Sequence, residues 1–380
     1  VSVLCHTLSG NAFGRALVIA ELLARDFDVH IVTACGPNDE LWRPAQGACP
    51  FEIRRWTAAT YPGFLLRSPS LVRRLVTGDL IYSIKPRLTS LGLGLVARRV
   101  RGVPLIADVD DEETGFSTPL RDALLAPWAL VSTASPSHTR WLTTRTQLAD
   151  AVTVSSAALH ARHGGTWVPH ARDETLLHPA SPAAKLCATP TVVFVGTPRA
   201  HKGLTDLVAG FRLCKVPARL RIVGGTLDRE LVRRVAELAD PRIVLEPPVS
   251  LAALREILAA AEVVAIPQQV SAVSRGQLPA KLLDALAMGK AIVSTQVGDI
   301  PRWLADDAGV VVPPSDPRAL ARALDDLLTD PVRRARLGER ARRRFLELGS
   351  FSVVRPRLVA LVAALLRGEP APPSVPSFAL

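Results

Sequence analysis

Long apolar runs are missing from this chain of 380 residues, although 48% of its residues are hydrophobic. No run approaches the roughly 20 residues that a membrane-crossing helix needs, so the apolar content belongs in globular cores. Cysteine is sparse and scattered: Cys5, Cys35, Cys49, Cys187 and Cys214 form no C-x-x-C pair and no zinc-ligand spacing. That argues against a disulfide framework and a metal site, and fits a reducing compartment. Aromatic residues make up only 5% of the chain, and no basic run is interleaved with them. The net charge of +11 therefore lacks the stacking platform of a nucleic-acid binder, and no nucleic-acid partner is expected. No Ser–His–Asp or Cys–His spacing supports nucleophilic catalysis. The opening residues, Val1 to Leu8, are too short and uncharged for a secretory leader, which points to the cytoplasm.

What the chain does have is length for two ordinary domains and a repeated alternation of strand and helix signals. In the front half, strands are expected over Val1–Thr7, Val29–Ala34, Leu80–Ile84, Pro104–Val109 and Ala151–Ser155. Helices are expected over Arg15–Arg25, after a Gly10-Asn11-Ala12-Phe13-Gly14 turn, and over Ser90–Arg101. The back half repeats the pattern from Thr191 to Val312 and ends in helices over Arg318–Thr329, Pro331–Glu347 and Val354–Arg367. Alternation of this kind gives parallel sheets covered by helices on both faces. The expected division is a first domain over 1–177, a Pro- and Ala-rich linker over 178–190, and a second domain over 191–350. A terminal helix over 351–367 returns to the first domain, and a Pro-rich tail covers 368–380.

Two stretches carry chemistry. In the first, an apolar strand ends at Gly196, and the loop Thr197-Pro198-Arg199-Ala200-His201-Lys202-Gly203 leads into a helix. Two cations and free backbone N–H groups at a helix start suit a diphosphate. In the second, Gly276-Gln277-Leu278-Pro279-Ala280-Lys281-Leu282-Leu283-Asp284 puts one acid on a helix that runs into Gly289 and a further apolar strand. Together these resemble the donor site of retaining glycosyltransferases of family 4, the glycosyl transferases group 1. The resemblance covers nearly the whole chain and is most specific from Thr191 to Pro313. It implies the α/β GT-B fold, two Rossmann-like parallel-sheet domains facing across a cleft. It also implies transfer of a sugar from a nucleoside-diphosphate donor, UDP- or GDP-linked, to an acceptor hydroxyl of unknown identity, with retention of configuration and with neither cofactor nor metal.

The resemblance assigns residues as well. Lys202 and Arg199 would draw off the diphosphate beside Gly196, Arg199 replacing the arginine that the family places where Thr197 stands. Asp284 would grip the ribose. The family's first acid, which contacts the transferred sugar, is replaced by Gly276, leaving that contact to backbone groups, Gln277 or Lys281. In the first domain, Gly10, Asn11, Gly14 and Arg15 resemble the loop that touches diphosphate and acceptor. Asp110 falls where many relatives have a histidine near the sugar and acceptor. A D-x-D metal motif over Asp108-Val109-Asp110 is the competing reading of that segment.

Elsewhere, His138 is flanked by Trp128 and Trp141, an arrangement open to either an acceptor pocket or an ordinary exposed loop. Phe64-Leu65-Leu66-Arg67 and Leu71-Val72-Arg73-Arg74-Leu75-Val76 mix apolar and cationic residues. An interfacial helix has this mixture and so does an internal amphipathic one, so peripheral contact with the inner face of a membrane stays open. Two alternatives accompany the transferase reading: a non-catalytic nucleotide-sugar-binding partner subunit and a GT-B nucleotide-sugar epimerase.

Overall fold

The computed structural model describes residues 1–47, 49–57, 60–113, 132–179 and 189–372. It divides into one unit of Val1–His170 with Val354–Leu380 and a second of Ala171–Val353. In the first unit the strands are β1 (Ser2–Cys5), β2 (His30–Cys35), β3 (Ile53–Thr57), β4 (Ile81–Ile84), β5 (Leu105–Val109), β6 (Ala151–Val154) and β7 (Thr166–Trp167). They form one parallel sheet in the order β3-β2-β1-β4-β5-β6-β7. β1, β4, β5 and β6 are buried along their whole length, as expected of inner strands covered on both faces.

The second unit contains β8 (Thr191–Val195), β9 (Arg219–Val223), β10 (Ile243–Glu246), β11 (Val263–Ile266), β12 (Ala291–Thr295) and β13 (Val310–Val312). Its parallel sheet has the order β10-β9-β8-β11-β12-β13. Its core joins Val192, Phe194, Val263 and Val293 on the strands to Leu207, Phe211, Leu320 and Leu324 on the helices Leu204–Leu213 and Pro317–Thr329. In both sheets the strand order reverses beside the first strand, between β1 and β4 and between β8 and β11. Open α/β sheets bind ligands outside the carboxyl ends of strands at such points.

Two expectations change. Gly10 is the N-cap of a helix over Asn11–Leu23, so the expected turn over Gly10–Gly14 is already the helix's first turn. β3 was not expected as a regular element, two arginines interrupting it, whereas the mixed apolar and cationic segment expected as an amphipathic helix does form one, Tyr61–Leu75, despite Pro62 and Pro69. Asp284 lies on a helix, as expected, and Gly276 belongs to a separate short one. Gly276 ends Ala272–Gly276, the chain is extended at Gln277 and Pro279, and Asp284 sits on Ala280–Ala287. Trp128, most of the expected linker and the end of the tail lie outside the described residues.

Candidate functional site

At the reversal point of the second sheet, β8 runs into Gly196 at φ +128°, a backbone state that a side chain rarely adopts. A Cβ there would lie 3.3 Å from the Lys281 ammonium and 3.7 Å from that of Lys202. Glycine thus lets two lysines from separate elements approach one strand end. Lys202 Nζ donates to Thr197 O at 2.8 Å, and Lys281 Nζ lies 3.7 Å from the centre of the Phe194 ring. The Lys202 loop is held against the end of β11 by Gln269 N–H donating to His201 O at 2.9 Å. Gly203 fits there because a Cβ would come within 1.7 Å of Pro267 O.

Burial, with Lys202 beside it, pushes the Lys281 ammonium well below the usual lysine range, and Asp284 offsets only part of this. Two converging lysines at a strand end where such folds bind ligands make a candidate anion site. Arg199, expected as the second cation of the pair, is exposed at the start of the loop. The cation beside Lys202 is Lys281.

Asp284 is buried, and Arg172 Nε donates to its Oδ1 at 2.5 Å. The Arg172 backbone is itself fixed: its N–H donates to Gly349 O and its carbonyl accepts from Phe351 N–H. The acid is therefore oriented by a guanidinium on the segment that opens the second unit, a partner that no local pattern signals across 112 residues. Gln277 is half-buried at the break between the two short helices. Gln268, just past β11, is buried with neither amide atom hydrogen-bonded among the described residues.

The first sheet gathers charge at the same kind of place. Lys85 follows β4 in the left-handed region at φ +63°. Its ammonium contacts Asp110 at 3.2 Å, Glu113 at 2.7 Å and Asp111 more closely still. Arg87 pairs with Glu113 from the other side. Burial opposes the Lys85 charge, but the three carboxylates outweigh it and hold the group well above the usual lysine range. Burial would raise Glu113, yet Lys85 and Arg87 hold it down at about 2. Asp110 behaves differently: burial, helped by Asp111 and Asp108 and opposed by Lys85 and Arg15, pushes it up to about 7. His6, at the end of β1, is driven down to about 3 by burial and by the cations Lys85 and Arg87. Lys85, Arg87 and His6 escaped the sequence reading, although a lysine directly after a buried strand is a usable signal.

Arg15 corrects an expectation. Its guanidinium is fully buried and donates to both Asp108 oxygens, at 3.0 and 2.8 Å, and to the carbonyls of Pro169 and Val168. Four of its five donors are thereby used inside the first unit, so it offers none of them to a phosphate. Asp108 also accepts from Tyr82 and Thr153, which withdraws it from the D-x-D metal reading. Among the described residues the metal-competent grouping is Asp110, Asp111 and Glu113, and Lys85 already contacts all three. Asn11 is exposed at the helix start. Gly14 packs against Trp42, whose ring a Cβ would approach to 2.8 Å. The His138 ring stacks on Tyr61 at 4.3 Å, and burial lowers its pKa.

Two parallel α/β sheets, each reversing its strand order beside its first strand, are the architecture of the GT-B class. Residues 189–330 match the family model of glycosyl transferases group 1. A stretch of 161 residues is 35% identical to D-inositol 3-phosphate glycosyltransferase of Xylanimonas cellulosilytica, covering 40% of this chain and 37% of that protein. Another, of 180 residues, is 29% identical to alpha-maltose-1-phosphate synthase of Mycobacterium tuberculosis, covering 43% and 45%. The matches thus span less than half the length of these curated relatives. Among solved structures, Anabaena HepE in complex with UDP and glucose superposes with a TM-score of 0.76 at 15% identity, over 96% of this chain and 99% of that one. A glycosyltransferase from Rickettsia africae gives 0.71 at 13% identity, over 97% and 99%. The fold is that of the GT-B glycosyltransferases, and the stretch 189–330 is similar to the group 1 glycosyl transferases.

Proposed function

We propose that the protein is a retaining, metal-independent glycosyltransferase of family 4 that moves a hexosyl or N-acetylhexosaminyl group from a UDP- or GDP-sugar to a hydroxyl. The observation that carries this is the convergence of Lys202 and Lys281 on Gly196 within the matched stretch. The lysines would hold the diphosphate and stabilise the charge that builds on it as the glycosidic bond breaks, with Arg199 adding long-range attraction. Asp284, oriented by Arg172, would accept from the ribose hydroxyls. Gln268 and Gln277 are the neutral hydrogen-bonding groups available to the donor. Asp110 would serve the reacting sugar and acceptor, with Gly10, Asn11 and Gly14 on the same unit. The protein would act in the cytoplasm with peripheral contact to the inner face of a membrane. A panel of UDP-, GDP- and dTDP-sugars tests the reading. Slow sugar release from one of them is expected, whereas binding without release would favour the partner-subunit alternative.

Two outcomes separate the parts of this site. Asp284→Asn keeps the side-chain size but loses the charge that bonds ribose and Arg172, so nucleoside-diphosphate affinity should fall by about 1–3 kcal/mol. Asp110→Asn should leave that affinity nearly intact and reduce transfer. The transfer rate of the unaltered enzyme should rise with pH through the Asp110 pKa of about 7, since the ionised carboxylate is the useful form. Asp110→Asn should flatten that limb. Calorimetric titration with pH–rate profiles checks both, and equal loss of nucleotide affinity in the two variants would move Asp110 onto the donor.

Activity should also persist in excess chelator, because lysines supply the positive charge on the donor and Lys85 is the cation among the acids of the first unit. Loss in EDTA, restored by manganese or magnesium, would show instead that a metal displaces Lys85.

A further inference from the structure

The helix Tyr61–Leu75 buries Phe64, Ser68 and Val72, one residue per turn, against the first unit. Its other side is unusual. Leu66 is 84% exposed and Leu65 48%, next to exposed Arg67, Arg73 and Arg74, and the helix contains no acid. A cavity of about 420 Å³ lies between this helix and the edge strand β3, lined by Arg55, Arg67 and Arg74 together with Trp56, Phe64 and Leu71. None of Arg55, Arg67, Arg73 and Arg74 meets a carboxylate among the described residues. The helix Arg229–Leu238 shows the ordinary solvated pattern instead, with Arg233 and Arg234 paired to Glu230 and Glu237.

Unpaired guanidinium groups around a cavity call for an anion, and Arg suits phosphate geometry. Exposed leucines on the same helix call for hydrocarbon. A nucleic acid would satisfy the first demand only, because the aromatic side chains here are buried, Trp56 at 5% and Phe64 at 1% exposure, and so cannot stack on bases. We propose that this face is the seat of an anionic phospholipid surface, with Leu65 and Leu66 entering the acyl boundary while Arg55, Arg67 and Arg74 hold a lipid phosphate in the cavity. The proposal deepens the membrane part of the function given above, on which it rests, and uses no residue of the donor site.

Co-sedimentation of the full chain with phosphatidylcholine vesicles, with and without phosphatidylglycerol, tests it. Binding is expected only to vesicles containing phosphatidylglycerol and should weaken with salt. Arg67→Ala with Arg74→Ala should lower binding roughly tenfold or more, on the scale of one headgroup attraction per cation. Leu66→Gln should weaken binding several-fold, and at a position this exposed it leaves folding untouched. Release of sugar from the nucleotide donor should be unchanged in both variants, so failure here is distinguishable from failure of the donor reading. Equal binding by the variants and the unaltered protein, absence of binding to the anionic vesicles, or displacement from them by single-stranded oligonucleotide at stoichiometric concentration would overturn the proposal.

Discussion

Lys202→Ala is expected to lower sugar transfer about a hundredfold or more, because removing a group that stabilises developing oxyanion charge commonly costs about 3–4 kcal/mol in the transition state. Folding should hardly change, since the side chain is half-buried on a loop and donates to a carbonyl of that loop, Thr197 O. The second lysine shapes the result. Lys281 is depressed chiefly by burial and next by Lys202, so removing Lys202 should let Lys281 hold its proton more firmly and recover part of the lost affinity for the diphosphate. Ground-state binding of nucleoside diphosphate should therefore fall less than turnover does. Lys281→Ala should be additive with Lys202→Ala in charge but not in energy, as expected of neighbours that share one ligand. Single-turnover rates beside calorimetric titration measure both quantities. Full activity of Lys202→Ala with every accepted donor would remove the proposed phosphate site.

Lys202 was legible from sequence because its signal is local: an apolar strand, a glycine, a short polar loop and a glycine that starts a helix. The alternation of buried strands with helices made both sheets legible for the same reason. What escaped lies in long-range pairing. Arg15 and Asp108 are 93 residues apart, and nothing in either segment shows that one neutralises the other. Arg172 and Asp284 are 112 apart, so the candidate acid was visible while the guanidinium paired with it was not. Lys281 was placed as a candidate contact for the transferred sugar. Only the packing of its helix beside Gly196 makes it the second cation, a role that sequence had given to Arg199. The helix Tyr61–Leu75 was legible from its mixture of leucine and arginine, although Pro62 and Pro69 obscured its full length.

Lys85→Met should be the most destabilising single change in the first unit. Methionine keeps the length of the side chain and the same left-handed backbone strain at position 85, so the comparison isolates the charge. Without the ammonium, Asp110, Asp111 and Glu113 crowd together with only Arg87 left beside Glu113, and removing one partner of a buried ion pair typically costs about 3–5 kcal/mol. The pH dependence follows from the direction of the shifts. Asp110 already stands at about 7 in the folded chain, above an ordinary aspartate, so its contribution favours the folded state at low pH and is lost as pH rises through that value. Glu113, at about 2, works in the opposite sense: it stabilises above the usual glutamate range and loses that contribution in acid. Losing Lys85 raises the folded-state values of Asp110 and Glu113, both of which it holds down, so the deficit should be largest near pH 8 and shrink towards pH 5 as protons are taken up. Asp110→Asn added to Lys85→Met should restore part of the loss at pH 8 by removing one of the repelling charges. Urea unfolding of the four proteins of this cycle at both pH values, followed by a probe in the first unit, measures the coupling. A Lys85→Met protein as stable as its parent at pH 8 would mean that these acids are not held together by the lysine at all.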